Sequence, residues 1–419
     1  MEQNTDGDAV AEKVRAFYER HPYPPPVDSL EKYRVLWQDR KRRRADFHVA
    51  WPGGAYRENQ SILIAGCGTS QAAKHALRWP AARVTGVDFS ATSVRHTEAL
   101  KRKYELDNLD VHQLPIARVG ELGLTFDQVV CTGVLHHLAD PGAGLAALRD
   151  VLRPEGAMHL MVYAPHGRTG VYMLQEFCRR VGIAATDDGI QELVAALGAL
   201  PPAHPLATLL RQAPDFRQAS ALADALLHPQ DRAYSVPQLF ELLEGAGLQF
   251  GRWVWQAHYD AHCGVMARIP QAARLAALPA PERSAAVELF RGTMLRHSVV
   301  VYPDDGDGAP AAPQVSFAGD AWRSYVPIRM PDTICVEEKL PPGAAAVLIN
   351  PNHAYTDIYL PIDAREKRLY DAIDGTRAIG EIARAQGQRD QTAQMDAARV
   401  LFERLYRHDQ VAFDASGAA

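Results

Sequence analysis

No stretch of this 419-residue chain is apolar for long, and no run approaches the ~20 residues needed to cross a bilayer. No membrane span is expected. Cysteine is scarce as well: the five residues Cys67, Cys131, Cys178, Cys263 and Cys335 are scattered, odd in number and form no C-x-x-C pair. A disulfide framework is thereby excluded, and a reduced cytoplasmic protein is the simple expectation. A net charge of −5 leaves no basic surplus for a dedicated nucleic-acid binder. The opening residues, Met1-Glu-Gln-Asn-Thr-Asp-Gly-Asp8, lack the basic and apolar regions of a signal peptide. What remains is a chain with 47% hydrophobic residues, enough for real cores, and long enough for two or three domains.

The most informative stretch is Ser61-Ile-Leu-Ile-Ala-Gly-Cys-Gly-Thr-Ser70. Ile62 to Ile64 reads as a buried parallel strand that runs into a small-residue turn and then a helix from Gln71 to Trp79. A second apolar segment, Val84 to Val87, ends at Asp88, about 20 residues beyond the glycines. That spacing puts a carboxylate where it can accept from both hydroxyls of a ribose, so an adenosine-containing cofactor is expected. A third glycine is missing, however. Gln71 stands where G-x-G-x-x-G would place it, so the turn is poorly suited to the pyrophosphate of a dinucleotide. A dehydrogenase is disfavoured on that ground.

Farther on, Thr125-Phe-Asp-Gln-Val-Val-Cys-Thr-Gly-Val-Leu-His-His-Leu-Ala-Asp-Pro141 reads as a strand and a loop, with a helix starting at Pro141 under an Asp140 cap and ending at Arg153-Pro-Glu-Gly156. Ala157 to Ala164 is a further strand. Five pieces in order, Ile64-Ala-Gly-Cys-Gly68, Gly86-Val-Asp-Phe-Ser90, Phe126-Asp-Gln-Val-Val130, Gly133-Val-Leu-His-His-Leu138 and Leu152-Arg-Pro-Glu-Gly156, make residues 55 to 165 resemble a class I S-adenosylmethionine-dependent methyltransferase. The resemblance implies a doubly wound, mostly parallel Rossmann-like α/β sheet with S-adenosyl-L-methionine as cofactor. It implies cofactor contacts from Ala65, Gly66, Gly68, Asp88, Phe89, Gln113, Leu114, Thr132 and Gly133, with Asp88 on the ribose and Phe89 and Leu114 beside the adenine. Two positions depart from many relatives, which carry acidic residues where this chain has Gln113 and Ala65.

Methyl transfer to an alcohol or ammonium needs a base, and His136 and His137 follow the fourth strand at the end that faces the ligand crevice. His136 is the first choice, His137 the second. No Asn-Pro-Pro-Tyr-type sequence follows Thr132, which counts against an adenine N-methyltransferase. Tyr18 and Tyr23, in Phe17-Tyr-Glu-Arg-His-Pro-Tyr-Pro24, together with Tyr172 and Tyr234, are expected to line the substrate pocket. His258, Asp260, His262 and Cys263 lie close in sequence, but their grouping is read as coincidental and no metal is expected.

The chain divides by pattern into an N-terminal helical lid (1–54), the cofactor-binding core (55–165), a helical substrate cap with the last core strands (166–302), an acidic Pro/Gly linker (303–315) and a C-terminal domain (316–419). Within the lid, Val10 to Arg20 and Leu30 to Phe47 read as helices, and Arg40-Lys-Arg-Arg-Arg44 as a solvated basic face. The last domain resembles a PqqD-like winged-helix module: two short helices around Asp374-Gly375, a third from Gln391 to His408, and a wing strand at Val411 to Phe413. Such a module implies a possible peptide partner. The expected activity is methylation of oxygen, nitrogen or sulfur on a small-molecule or short peptidyl metabolite. A protein side chain or tRNA as acceptor, or a non-catalytic cofactor-binding scaffold, is the alternative.

Overall fold

The computed structural model describes residues 4–212, 218–304, 315–387 and 390–418. Positions 305–314 of the expected linker lie outside the described residues. Two compact units result. One comprises the chain up to Arg34, Asn59–Gln249 and Arg291–Ser298, the other Val35–Glu58, Phe250–Phe290 and Val299 onward.

The first unit is built on β1 (Ser61–Ala65), β2 (Arg83–Asp88), β3 (Leu109–Gln113), β4 (Phe126–Thr132) and β5 (Leu152–Tyr163). With β6 (Leu248–Trp253) and β7 (Arg296–Pro303), through which the unit boundary passes, the strand order is β3-β2-β1-β4-β5-β7-β6. The pairs β1·β2, β2·β3, β1·β4 and β4·β5 are all parallel. The sheet is the expected doubly wound, Rossmann-like one. Ile62, Leu63 and Ile64 of β1 are buried to the last atom or nearly so, as a strand covered by helices on both faces must be. Because β2 and β3 run out on one side of β1 and β4 and β5 on the other, the carboxyl ends of β1 and β4 flank a topological switch point, where open α/β sheets bind ligands.

Several local expectations shift. Asp140 caps its helix by accepting from Ala143 N–H, but the helix ends at Asp150 and β5 starts at Leu152, five residues early, because Leu152 already pairs with Phe126 across a bulge. The helix expected over 30–47 is two, Glu31–Trp37 and Arg40–Ala50, since Asp39 stops the first and caps the second through Lys41 N–H. The long helical region after the core resolves into Thr169–Val181, Asp187–Gly198, Pro205–Gln212 and Ala219–Leu226. Ser235 and Gln238 form the box that starts the helix Val236–Gly245.

The second unit holds β8 (Val326–Arg329), β9 (Ile334–Val336), β10 (Ala346–Ile349), β11 (Leu360–Ile362) and β12 (Val411–Asp414), in two small antiparallel sheets ordered β11-β10-β9 and β12-β8. The helices Ala364–Asp371, Ile379–Arg384 and Gln391–Arg407 fall where the pattern puts them. Trp322, Leu348, Leu369, Ile379, Leu401, Phe402 and Phe413 form their shared core. The helix Arg40–Ala50, grouped by sequence with the lid, counts in this unit and packs on β12 and β8.

Candidate active site

The turn after β1 sets the site. Gly66 and Gly68 adopt φ of 69° and 53°, a left-handed conformation in which a side chain is strained. The Gly68 N–H donates to Asp88 Oδ2 at 2.8 Å, and the Ser90 N–H to Asp88 Oδ1 at 2.9 Å. Two donors leave lone pairs on a carboxylate that has about four, enough for the two hydroxyls of a ribose. The carboxylate is otherwise starved of solvent, and burial pushes its pKa up to about 6. Phe89 follows directly, and Gln113, at the end of β3, donates its side-chain amide to the Phe89 carbonyl at 3.3 Å. Leu114 N–H bonds to Asp88 O at 2.9 Å, Ala65 is buried, and Gly133 turns at φ 78° just beyond Thr132. The donor set, the glycine turn and the aromatic neighbour fit an adenosine. Cys67 and Cys131 are buried beside it, with the Cys131 thiol pushed up to about 12, so they pack and do not react.

The N-terminal arm closes over this turn. Thr69 Oγ1 donates to Pro24 O at 2.8 Å, and a Cβ on Gly68 would stand 3.2 Å from Pro24 Cδ and 3.3 Å from the Tyr23 carbonyl. Glu19, on the helix Asn4–Arg20, accepts from Ala91 N–H at 2.6 Å and Thr92 N–H at 3.2 Å, filling the N-terminus of the helix that follows β2. Tyr18 stands between two regions: its ring lies 6.2 Å from Phe89 and 6.2 Å from His137, while its hydroxyl donates to Asp224 Oδ1 at 3.0 Å.

Behind Tyr18 lies a buried polar cluster. His137 sits 3.9 Å, ring to ring, from His228 and 4.3 Å from His136. His136 is sealed, stacked 3.9 Å from Tyr163 with neither ring nitrogen partnered among the described residues, and burial holds it well below the usual imidazole pKa. Arg168 lies 3.6 Å over the Tyr163 ring, donates to Tyr172 Oη at 3.1 Å and pairs with Asp231 at 3.1 Å. Tyr234 is buried near the same strand end, its N–H bonded to Tyr163 O at 2.9 Å. Thus Tyr18, Tyr172, His136 and His137 belong to one cluster, and Tyr23, whose carbonyl lies at the turn, also interacts electrostatically with Tyr163 of that cluster. Sequence reasoning missed Glu19, Asp224, His228, Asp231 and Arg168. The bond from His137 to Gln230 spans 93 positions, and no spacing rule connects such segments.

The other cluster weighed from sequence resolves locally. His258 ends the short 3-10 helix Gln256–His258, and Asp260 and His262 lie in the loop after it; His262 Nδ1 is 2.9 Å from Asp260 Oδ1, and Ala354 N–H donates to His258 Nε2 at 3.2 Å. In the basic run Arg40 and Lys41 are exposed, but Arg42 forks onto Asp332 with two bonds of 2.7 Å, Arg43 pairs with Glu58 at 3.2 Å and Arg44 with Asp414 at 2.8 Å. Among the described residues no helix is long and apolar enough to cross a membrane.

Residues 63–158 match a family model described as a methyltransferase domain. The chain is 33% identical over 262 residues to the uncharacterized protein syc1184_c of Synechococcus sp., covering 58% of this chain and 60% of that one. It is 31% identical over 168 residues to the tRNA 5-carboxymethoxyuridine methyltransferase of Escherichia coli, covering 39% of this chain and 59% of that enzyme. It therefore spans less than two thirds of each of these relatives. A solved structure, PKMT2 from Rickettsia typhi in complex with AdoHcy, superposes with a TM-score of 0.64 at 16% identity, covering 94% of this chain and 77% of that one. At that identity the likeness speaks for the fold. Family model, strand order and glycine turn agree, and residues 63–158 have the fold of a class I methyltransferase domain.

Proposed function

We propose that this protein is an S-adenosylmethionine-dependent methyltransferase acting on a small-molecule or short peptidyl metabolite bound at the polar cluster behind Tyr18. One observation carries the reading: a single aromatic ring, Tyr18, separates Phe89, on the adenine side of the cofactor turn, from His137, in the polar cluster. That closeness supports one site shared by cofactor and acceptor, with the methyl carbon expected on the Gly66 and Gly68 side. Asp88 would hold the ribose hydroxyls, Gly66 and Gly68 the methionine side, and Phe89 and Leu114 the adenine. The bound cofactor supplies a methyl carbon on a sulfonium, a leaving group that needs no acid. The chain's own residues then position the acceptor, exclude water and, at His137 Nε2, receive its proton. His137 suits that role better than His136, whose ring is sealed between Tyr163 and His137.

A macromolecular acceptor is the second reading, favoured by the tRNA-modifying enzymes among the relatives, such as the tRNA U34 carboxymethyltransferase of Shewanella amazonensis, 38% identical over 104 residues. Against RNA stand the net charge of −5 and the intramolecular ion pairs that occupy Arg42, Arg43 and Arg44. A peptide partner remains proposed for the C-terminal domain, where β9 ends its sheet with one neighbour.

Calorimetric titration with S-adenosylmethionine, S-adenosylhomocysteine and NADH tests the cofactor, and transfer of a labelled methyl group to metabolite fractions tests turnover. Binding of NADH alone would overturn the proposal. Binding without transfer to any fraction would favour a scaffold.

A further inference from the structure

Three side chains of the polar cluster bring potential metal ligands together. His136, His137 and Asp231 each present one such atom, a ring nitrogen or a carboxylate oxygen, within 4.8 Å of the other two. Both histidines are buried and the Asp231 side chain is 2% exposed, so this is not one of the acidic groupings common on surfaces. Separations of 4.8 Å or less put some point within about 2.8 Å of all three atoms, so movements of about 0.7 Å bring each to the ~2.1 Å of a metal–ligand bond.

The hydrogen bonds leave these atoms available. Neither ring nitrogen of His136 has a partner among the described residues, nor has Asp231 Oδ1. Asp231 Oδ2 accepts from Arg168 at 3.1 Å and from the Gln175 amide at 2.9 Å, which fixes the side chain. The Gln230 carbonyl can only accept, so His137 Nδ1, 2.7 Å away, carries a hydrogen and the lone pair of the neutral ring stands on Nε2. A backbone carbonyl on the other ring nitrogen is the usual support of a metal-bound imidazole. Coordination through His137 Nε2, Asp231 Oδ1 and either nitrogen of His136 breaks no hydrogen bond. A second grouping, His137, Asp224 and His228, is as close but already engaged. His228 Nδ1 accepts from Gln230 N–H at 3.0 Å, which leaves the neutral ring with a hydrogen on Nε2, and Asp224 Oδ1 holds the Tyr18 hydroxyl. Charge agrees, because Asp231 balances Arg168 and leaves buried Asp224 as a carboxylate that a cation offsets.

We infer that His136, His137 and Asp231 form a binding site for one divalent ion of the zinc class. Two imidazoles and a carboxylate suit zinc and its transition-metal neighbours, whereas magnesium and calcium take oxygen ligands. Three protein ligands leave a coordination position for water or a bound molecule. An ion so held takes the His137 lone pair to which the methyltransferase reading assigns the acceptor's proton. The metal-loaded and the proton-accepting forms therefore exclude each other, and in that respect alone the inference rests on that reading.

The test is calorimetric titration of the chelator-treated full chain with zinc chloride and with magnesium chloride, beside NMR of the chain labelled with 15N-histidine. The expected result is saturable binding of one zinc ion per chain, no binding of magnesium, and zinc moving the His136 and His137 nitrogen resonances. Asp231→Asn, which still accepts from Arg168, should weaken zinc binding by about tenfold or more, and so should His136→Phe, which keeps a ring on Tyr163. Asp224→Asn and His228→Leu should leave it unchanged. No zinc binding, magnesium binding as tightly as zinc, or binding that survives both Asp231→Asn and His136→Phe, as adventitious surface histidines would give, would each overturn the inference. So would binding lost in His228→Leu and kept in Asp231→Asn. None of these readouts needs a cofactor or an acceptor, so failure of S-adenosylhomocysteine to bind would sink the methyltransferase reading and leave this test decisive.

Discussion

Two buried carboxylates, one in each unit, are treated in opposite ways. Asp409, in the second, accepts from Gln256 N–H at 3.2 Å, Ala257 N–H at 3.0 Å, His353 Nε2 at 3.1 Å and Arg252 Nη2 at 3.4 Å. Asp224, in the first, is as deeply buried but has the Tyr18 hydroxyl as its one hydrogen-bond donor among the described residues, and burial raises its pKa. A saturated carboxylate holds a fold together. An unsaturated one, beside an unpartnered His228 Nε2, costs stability and is worth retaining only where something else will bind. The difference in donors singles out the Asp224 cluster as the candidate site, and the Asp409 cluster too holds an imidazole nitrogen, His353 Nδ1, with no partner among the described residues.

Substitutions put that contrast to the test. The largest effect is expected at His137: His137→Ala should lower the methyl-transfer rate by roughly 10²–10⁴-fold while leaving S-adenosylhomocysteine affinity unchanged, by single-turnover kinetics and calorimetry. Asp88→Ala removes two charge-assisted bonds to a ribose and should weaken cofactor binding by about 10²-fold or more. Asp409→Asn turns an amide onto four donors and should cost about 3–5 kcal/mol of stability in denaturant unfolding. Asp224→Asn should cost far less or stabilise. A raised folded-state pKa means that the ionised form is the strained one, so stability falls as pH rises above the ordinary carboxylate range, and the amide removes that loss. The smallest effect is in pH. Ribose hydroxyls donate to the ionised Asp88, so cofactor affinity should be flat above pH 6 and fall by up to about tenfold per unit below it. Asp88→Asn should abolish that slope.

Much of the first unit was legible because its signals are local. Ile62-Leu-Ile64, the two glycines and Asp88 lie within a span where strand, turn and helix each leave a short-range pattern, and the structure joins Gly68 N–H to Asp88 as that spacing requires. Helix starts were legible for the same reason: Asp140 and Ser235 cap through residues three positions away. The polar cluster around His137 was not legible. His228 and Asp224 come from the end of a helix and the loop after it, whose sequence signature is ordinary, and only tertiary packing brings them to His137. Of Arg40 to Arg44, the first two residues are solvated as expected, but Arg42 and Arg44 are not, because charge runs say nothing about partners some 290 to 370 positions away, the separations of Asp332 from Arg42 and of Asp414 from Arg44. The helix break at Asp39 was readable in principle, since Asp is a preferred cap, yet the apolar periodicity on both sides masked it.

The central claim is that the glycine turn and Asp88 bind an S-adenosyl nucleoside. Calorimetry of the full chain with S-adenosylhomocysteine, beside Asp88→Ala, tests it most directly. Saturable one-site binding is expected, weakened by the substitution by about 10²-fold or more. No binding to the intact protein, or equal binding by the variant, would contradict it.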